Sequence, residues 1–343
     1  MYRIFILSLA LLTLFSCSTT KQYITILKPA EITVDKDIKS LVVLNRTLPS
    51  SEVGNAVEGF LTGEMPQQDR KAAVQALQGF YDRTQDVKRF EVIMAAEPMV
   101  GSGSGVMFPN PLSWNDVEKL CNQHKTDALL SLETFDSNVQ YNTVTDFKNV
   151  KNAAGIPIKM PYFKVTVRVT VTLGFRLYYP KIRSIYDQDQ YSFWRSWTRE
   201  GNTVAAAMNA FMAKEQLILN TAYFSGENYA KKINPYYLNV RRLYYKRGAA
   251  EPNLKLGSRM ARVQAWDDAE KYWTQAYESP KRKAKARAAY NLALIREMEG
   301  KLPLAKELSD KAYGLGARKA LDYSRILNQR IRDQQRLNEQ MGQ

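Results

Sequence analysis

The sequence predicts an α/β domain built on a mixed sheet, followed by an all-α region of helical repeats. Three observations predict it. Short apolar runs alternate with helical spacing through the first third of the 343 residues. Two long segments of strict two-residue alternation follow. The last ninety residues repeat themselves at a fixed period. Alternating strands and helices favour parallel pairing through right-handed crossovers, and a long alternating hairpin adds antiparallel strands to that sheet.

The elements follow in order. "IKSLVVLNRT" (38–47) is a run of aliphatic residues that reads as a buried strand. Residues 51–63 and 67–84 show helical spacing, with Val74, Leu77 and Tyr81 on one face. "RFEVIMA" (89–95) is a second strand. Ser113 followed by Asp116 opens a helix as a capping box would. "DALLSLETF" (127–135) is a third strand. In "FKVTVRVTVTLGFRLYY" (163–179), Val165, Val167, Val169, Val171, Leu173, Phe175 and Leu177 point one way and Lys164, Thr166, Arg168, Thr170, Thr172 and Arg176 the other. Residues 182–197 return after a turn at Pro180-Lys181. Residues 203–232 are helical, and "INPYYLNVRRLYYKRG" is expected to bridge into the last region.

That last region repeats at 36 residues: Leu256-Gly257 aligns with Leu292-Ala293, Ala269 with Ala305, and Ala276-Tyr277 with Ala312-Tyr313. Small residues at these places let paired helices approach closely, with Trp266, Trp273 and Leu302 filling the space between them. Gly300 falls at the turn. The pattern resembles the tetratricopeptide repeat, with Asn253 and Ala289 standing where that family has an aromatic residue. Residues 251–343 are therefore expected to hold two such units and a polar capping helix. Its first-helix face is expected to present Arg287, Tyr290, Asn291 and Leu294 to a partner peptide.

The first residues carry an address. Arg3 and twelve uncharged residues (Ile4–Phe15) make a signal-peptide core, too short for a spanning helix of about 20 residues. Leu14-Phe15-Ser16-Cys17 resembles the bacterial lipobox, apart from the large Phe15. The resemblance implies cleavage before Cys17 and lipidation of its sulfur; acyl chains contribute roughly 0.8 kcal/mol per buried methylene. Ser18 is not the aspartate of an inner-membrane retention signal. The expected location is the periplasmic face of the outer membrane. The expected division is a signal peptide over 1–16, a tether over 17–37, the α/β domain over 38–200, a helical connector over 201–250 and the repeats over 251–343.

The net charge of +15 is uneven: residues 17–150 carry −4 and residues 151–343 carry +18. A basic half implies an anionic surface or an acidic protein as partner. Nucleic acid is not expected behind an export leader. With Cys17 lipidated, Cys121 has no partner for a disulfide and reads as a buried small residue beside Val117 and Leu120.

No catalytic constellation is legible. "GSGSG" (101–105) is separated from the next helix by Pro109 and Pro111, so it does not open a helix as a dinucleotide-binding loop must. His124 is the only histidine and reads as solvated at a polar helix end. Glu133 and Asp136 read as solvated edge residues. No enzyme, cofactor or metal is therefore expected.

The strand "IKSLVVLNR", the segments "LSWNDVEKLC" and "DALLSLE", "NPYYLNVRRLYY" and the repeats together resemble a family of Bacteroidota lipoproteins of unknown activity. These pair an α/β domain with a carboxy-terminal repeat pair. The α/β part is also loosely similar to the amino-terminal domain of TolB and to the curli secretion lipoprotein. These resemblances imply a membrane-anchored envelope lipoprotein acting as an interaction or scaffold module, with a protein partner in the envelope. The alternatives are an oligomeric secretion or assembly component, for which the 163–197 hairpin is long enough to cross a membrane, and an enzyme acting on cell wall or lipid.

Overall fold

The computed structural model describes residues 19–47, 68–99, 101, 107–247 and 250–342. The leader, Cys17, residues 51–63 and most of "GSGSG" lie outside the described residues. The chain forms two compact units, one of residues 29–236 with the last few residues from 339, the other of residues 19–28 and 237–338.

The first unit is built on five strands: β2 (Ser40–Asn45), β3 (Glu91–Met94), β4 (Ala128–Lys151), β5 (Pro157–Tyr179) and β6 (Ser184–Gly201), in the order β3-β2-β4-β5-β6. β2 pairs in parallel with both β3 and β4, as the crossover spacing predicts. β4, β5 and β6 are antiparallel, so the sheet is mixed. The alternation of β5 is borne out: Val165, Val167, Val169, Val171, Leu173, Phe175 and Leu177 are all buried. A 3-10 turn at Pro180–Ile182 leads into β6.

Helix α1 (Gln68–Gln85) and helix α4 (Lys214–Ile233) contribute Ala72, Ala76, Phe80, Ile218, Ala222 and Tyr229 to the core with β5. They cross with backbones nearly touching: a Cβ on Gly226 would stand 1.7 Å from the Ala76 carbonyl oxygen, and one on Gly79 2.1 Å from that of Tyr223. The stacked rings of Phe175 and Tyr229, 3.8 Å between centroids, sit beneath that crossing. Helix α2 (Trp114–His124) starts where expected, with Ser113 Oγ accepting from the Asp116 amide at 3.2 Å. It buries Val117 and Cys121 with Val42, Leu44, Leu129 and Tyr178. The short α3 (Val204–Asn209) precedes α4.

The second unit is a helical repeat region carrying a two-stranded sheet. Helices α5 (Pro252–Arg262), α6 (Trp266–Tyr277), α7 (Arg282–Met298), α8 (Leu302–Gly314) and α9 (Ala320–Met341) follow one another through short turns. The small residues of the 36-residue period are all buried: Gly257, Ala269, Ala276, Ala293, Ala305 and Ala312. Gly257 is required by Trp273, whose Cδ1 would lie 2.5 Å from a Cβ there. Gly300 has a φ of +76° in the turn between α7 and α8, the left-handed region that glycine enters freely.

Three boundaries differ from the sequence reading. Residues expected as a tether form strand β1 (Thr19–Lys28), which pairs with β7 (Tyr236–Tyr245), the segment expected as part of a helical connector. Helices α3 and α4 belong to the sheet unit, not to a connector. β4 runs sixteen residues past Phe135, because its pairing with β5 continues to Lys151↔Pro157. No described helix is long and apolar enough to cross a membrane.

Candidate functional site

The helical unit holds a basic pocket. Arg282 and Lys283 open α7, Arg287 lies one turn on, and Arg318 and Lys319 precede α9. These five cations surround a floor of Tyr245, Ala286, Leu315, Gly316 and Ala317, enclosing about 610 Å³. Arg287 lies over the Tyr245 ring, its guanidinium carbon 5.0 Å from the centroid, and its Nη1 donates to the Arg247 carbonyl at 2.5 Å. That bond joins the pocket to a second one of about 300 Å³, lined by Lys246, Arg247, Lys255, Ser258, Arg259 and Arg262. Among the described residues, no carboxylate lines either pocket.

The cations obey the repeat. Lys246-Arg247, Arg282-Lys283 and Arg318-Lys319 recur at the same 36-residue period as the buried alanines. The pairs precede or open α5, α7 and α9, so the stacking that aligns the helices also aligns the pairs. The dipoles of α7 and α9 add positive potential at their amino ends.

Of the four residues expected to face a partner, three do not. Tyr290 is buried against Tyr245 and Tyr323, with ring centroids 5.2 and 5.1 Å away. Asn291 is fully buried: its Oδ1 accepts from the Tyr245 amide at 2.7 Å and its Nδ2 donates to the Tyr245 carbonyl at 2.8 Å. Leu294 lies in the core with Trp273 and Leu254. β7 occupies the face where a peptide was expected, and the pairing of Asn291 with the Tyr245 backbone imitates one more strand contact. Only Arg287 reaches a site, and Cys17 lies outside the described residues.

A family model, Domain of unknown function (DUF8603), matches residues 38–245. The chain belongs to the DUF8603 family. A second, Domain of unknown function (DUF6340), matches residues 255–335, the helical repeats. No curated protein matches the chain. Among solved structures, the PelC dodecamer from Paraburkholderia phytofirmans is 11% identical over 60% of this chain and 95% of that one, with a TM-score of 0.21. A putative neuraminyllactose-binding hemagglutinin homolog from Helicobacter pylori is 14% identical over 59% of this chain and 89% of that one, with a TM-score of 0.23. Scores of that size establish no shared function.

Within the DUF8603 region, Glu133 corrects the sequence reading. It is buried, accepting from Arg46 Nη1 at 2.9 Å and from the Tyr178 hydroxyl at 3.0 Å, with Arg176 Nη1 at 3.7 Å. Arg46 and Arg176 also donate to the carbonyls of Asn110 and Pro109, so this cluster pins the segment that leads into α2. Asp136 is half-buried, and burial raises its carboxyl above the usual range. Cys121 is buried as expected, and desolvation pushes its thiol up to about 11. A comparable buried ion pair in the helical unit joins Arg242 to Glu297 through bonds of 2.8 and 2.7 Å, with the Tyr323 hydroxyl donating at 2.8 Å. Among the described residues, no group of three or more His, Cys, Asp or Glu side chains is placed to hold a metal ion.

Proposed function

We propose that this DUF8603 chain is a lipid-anchored envelope protein whose helical unit captures an anionic partner, an acidic segment of another envelope protein, on its basic pockets. The three Lys/Arg pairs at the repeat period carry this reading. An acidic segment laid along them meets cations before or at the start of α5, α7 and α9 and, among the described lining residues, no carboxylate to repel it. Like-signed side chains lining one pocket repel one another, and a bound anion relieves that repulsion. The lipobox at Cys17 supports anchoring, and the anchor holds the pockets in the compartment where such a partner would lie.

The test is crosslinking capture from intact cells with the native chain and with Arg282→Gln/Lys283→Gln/Arg318→Gln/Lys319→Gln. Loss of a defined acidic partner from the variant supports the proposal. A second variant, Lys306→Gln/Lys311→Gln, lowers net charge at lysines that are ion-paired elsewhere on α8, with Asp310 and Glu307, and should leave capture intact. Equal recovery by the native chain and the pocket variant would overturn the assignment.

A further inference from the structure

The sheet unit carries an arm that its own core does not explain. β2 leaves β4 at Asn45↔Leu132, and β6 leaves β5 at Phe163↔Gly201. Beyond Asp146↔Tyr162 the ladder is two strands wide, closing at Lys151↔Pro157. A two-stranded hairpin is marginal in water without a surface to pack on. Exposed apolar side chains stand on both faces of this one, with Asn149, Lys151 and Lys159 beside them on the Phe147 face. Phe147↔Pro161 lies on one face, with Lys148↔Met160 and Val150↔Ile158 on the other. Phe147 is 60% exposed, Ile156 57%, and Ile158 and Met160 43% each.

The arm is also built to hold its shape. At its root, Lys164 Nζ and the Tyr162 hydroxyl donate to Asp146 at 2.9 and 3.0 Å. At its tip, Asn152 Oδ1 accepts from the amides of Ala154 and Ile156, and Gly155 has a φ of +76°. From Phe147 to Phe163 the charged residues are Lys148, Lys151 and Lys159, with no carboxylate.

We propose that this arm inserts its tip into the interface of an anionic lipid bilayer. A protein surface would cover one face or one edge, whereas apolar residues on both faces call for immersion. A second copy of the arm would set lysines against lysines. Anionic headgroups match three lysines interleaved with apolar side chains, the pattern of interfacial segments. From Phe147 to Asn152 the strand reaches about 17 Å at about 3.3 Å per residue, beyond the roughly 5–10 Å depth of interfacial burial. Two strands have open edges, which cannot enter the hydrocarbon core unpaired, so the arm lies in the interface and does not span.

The test uses the full chain with Cys17→Ser, so that Ile158→Cys supplies the accessible thiol while Cys121 stays buried. An environment-sensitive dye at that position is read on vesicles of phosphatidylethanolamine with phosphatidylglycerol. The proposal expects a blue shift and quenching by nitroxides on the upper acyl chain, neither of them for a dye at Asp189→Cys. Adding Phe147→Ser/Ile156→Ser should raise the lipid needed for the shift roughly tenfold, and Lys148→Gln/Lys151→Gln/Lys159→Gln at least severalfold. An unchanged spectrum on vesicles that bind the chain would overturn the proposal. So would a shift without vesicles that grows with protein concentration, which reports a second copy. An equal shift on pure phosphatidylcholine would overturn the anionic assignment.

Discussion

Glu133 sits between two arginines in the sheet unit, and removing its charge leaves both guanidinium groups buried without a counter-charge. Glu133→Gln should therefore cost about 3–5 kcal/mol, read as a lowered midpoint in urea unfolding. A change within about 0.5 kcal/mol would show that the pair is solvated after all. The pairing was not legible in sequence, because Arg46 lies 87 residues away and Tyr178 lies 45 away. Cys121 was legible, since its neighbours on the helix are apolar. Its thiol is held at about 11 against an ordinary 9.0. The folded state thus keeps the proton more tightly than the unfolded chain does. That contribution is complete below about pH 9 and is lost as pH rises through about 11. At neutral pH the native chain should resist a thiol reagent at Cys121 and react once denatured; equal rates in both states would contradict the burial.

At the scale of elements, closeness is set by missing side chains. Gly226→Ala would press a methyl group into the Ala76 carbonyl, and Gly257→Ala would press one into the Trp273 ring. Each should lose about 1–3 kcal/mol or more, because backbone or a buried indole has to shift. Gly314, at the end of α8, has nothing within 4 Å of its would-be Cβ. Gly314→Ala should be neutral or stabilise by about 0.4–1 kcal/mol, and thermal melts of the three variants would separate them. The 36-residue period made the helix pairs readable, since it records their packing directly. The same period holds the cationic pairs, but a repeat traced through its small and aromatic residues passes over them. β1 and β7 were missed for a different reason. Each is a single strand whose partner lies about two hundred residues off, and Thr25 donates to Asn239 across 214 positions. The extension of β4 was hidden because its outer half, with no core beside it, shows no regular alternation.

For the whole molecule, the +18 of residues 151–343 is spread along the β4–β5 arm, the pockets and the outer faces of the helices. Capture through the pockets should weaken steeply with salt, since the Debye length is only about 8 Å near 0.15 M. Salt-independent capture would point to an apolar contact in place of the pockets. The pairing of β1 with β7 carries a consequence for how this chain is made. Residues 29–236 of the sheet unit fall in sequence between β1 and β7, so the first strand to be synthesised must wait for nearly the last third of the chain. Joining them from an open coil costs about 5 kcal/mol in loop closure beyond a constant term. Inside the sheet unit, however, the Ile32 amide donates to the Lys232 carbonyl at 2.7 Å, which brings the two ends of the insertion together. Folding of the sheet unit thus removes most of that closure cost. The insert is therefore expected to mature first and β1 to pair with β7 only afterwards; pulsed hydrogen exchange that protects β1 before the sheet unit would contradict that order.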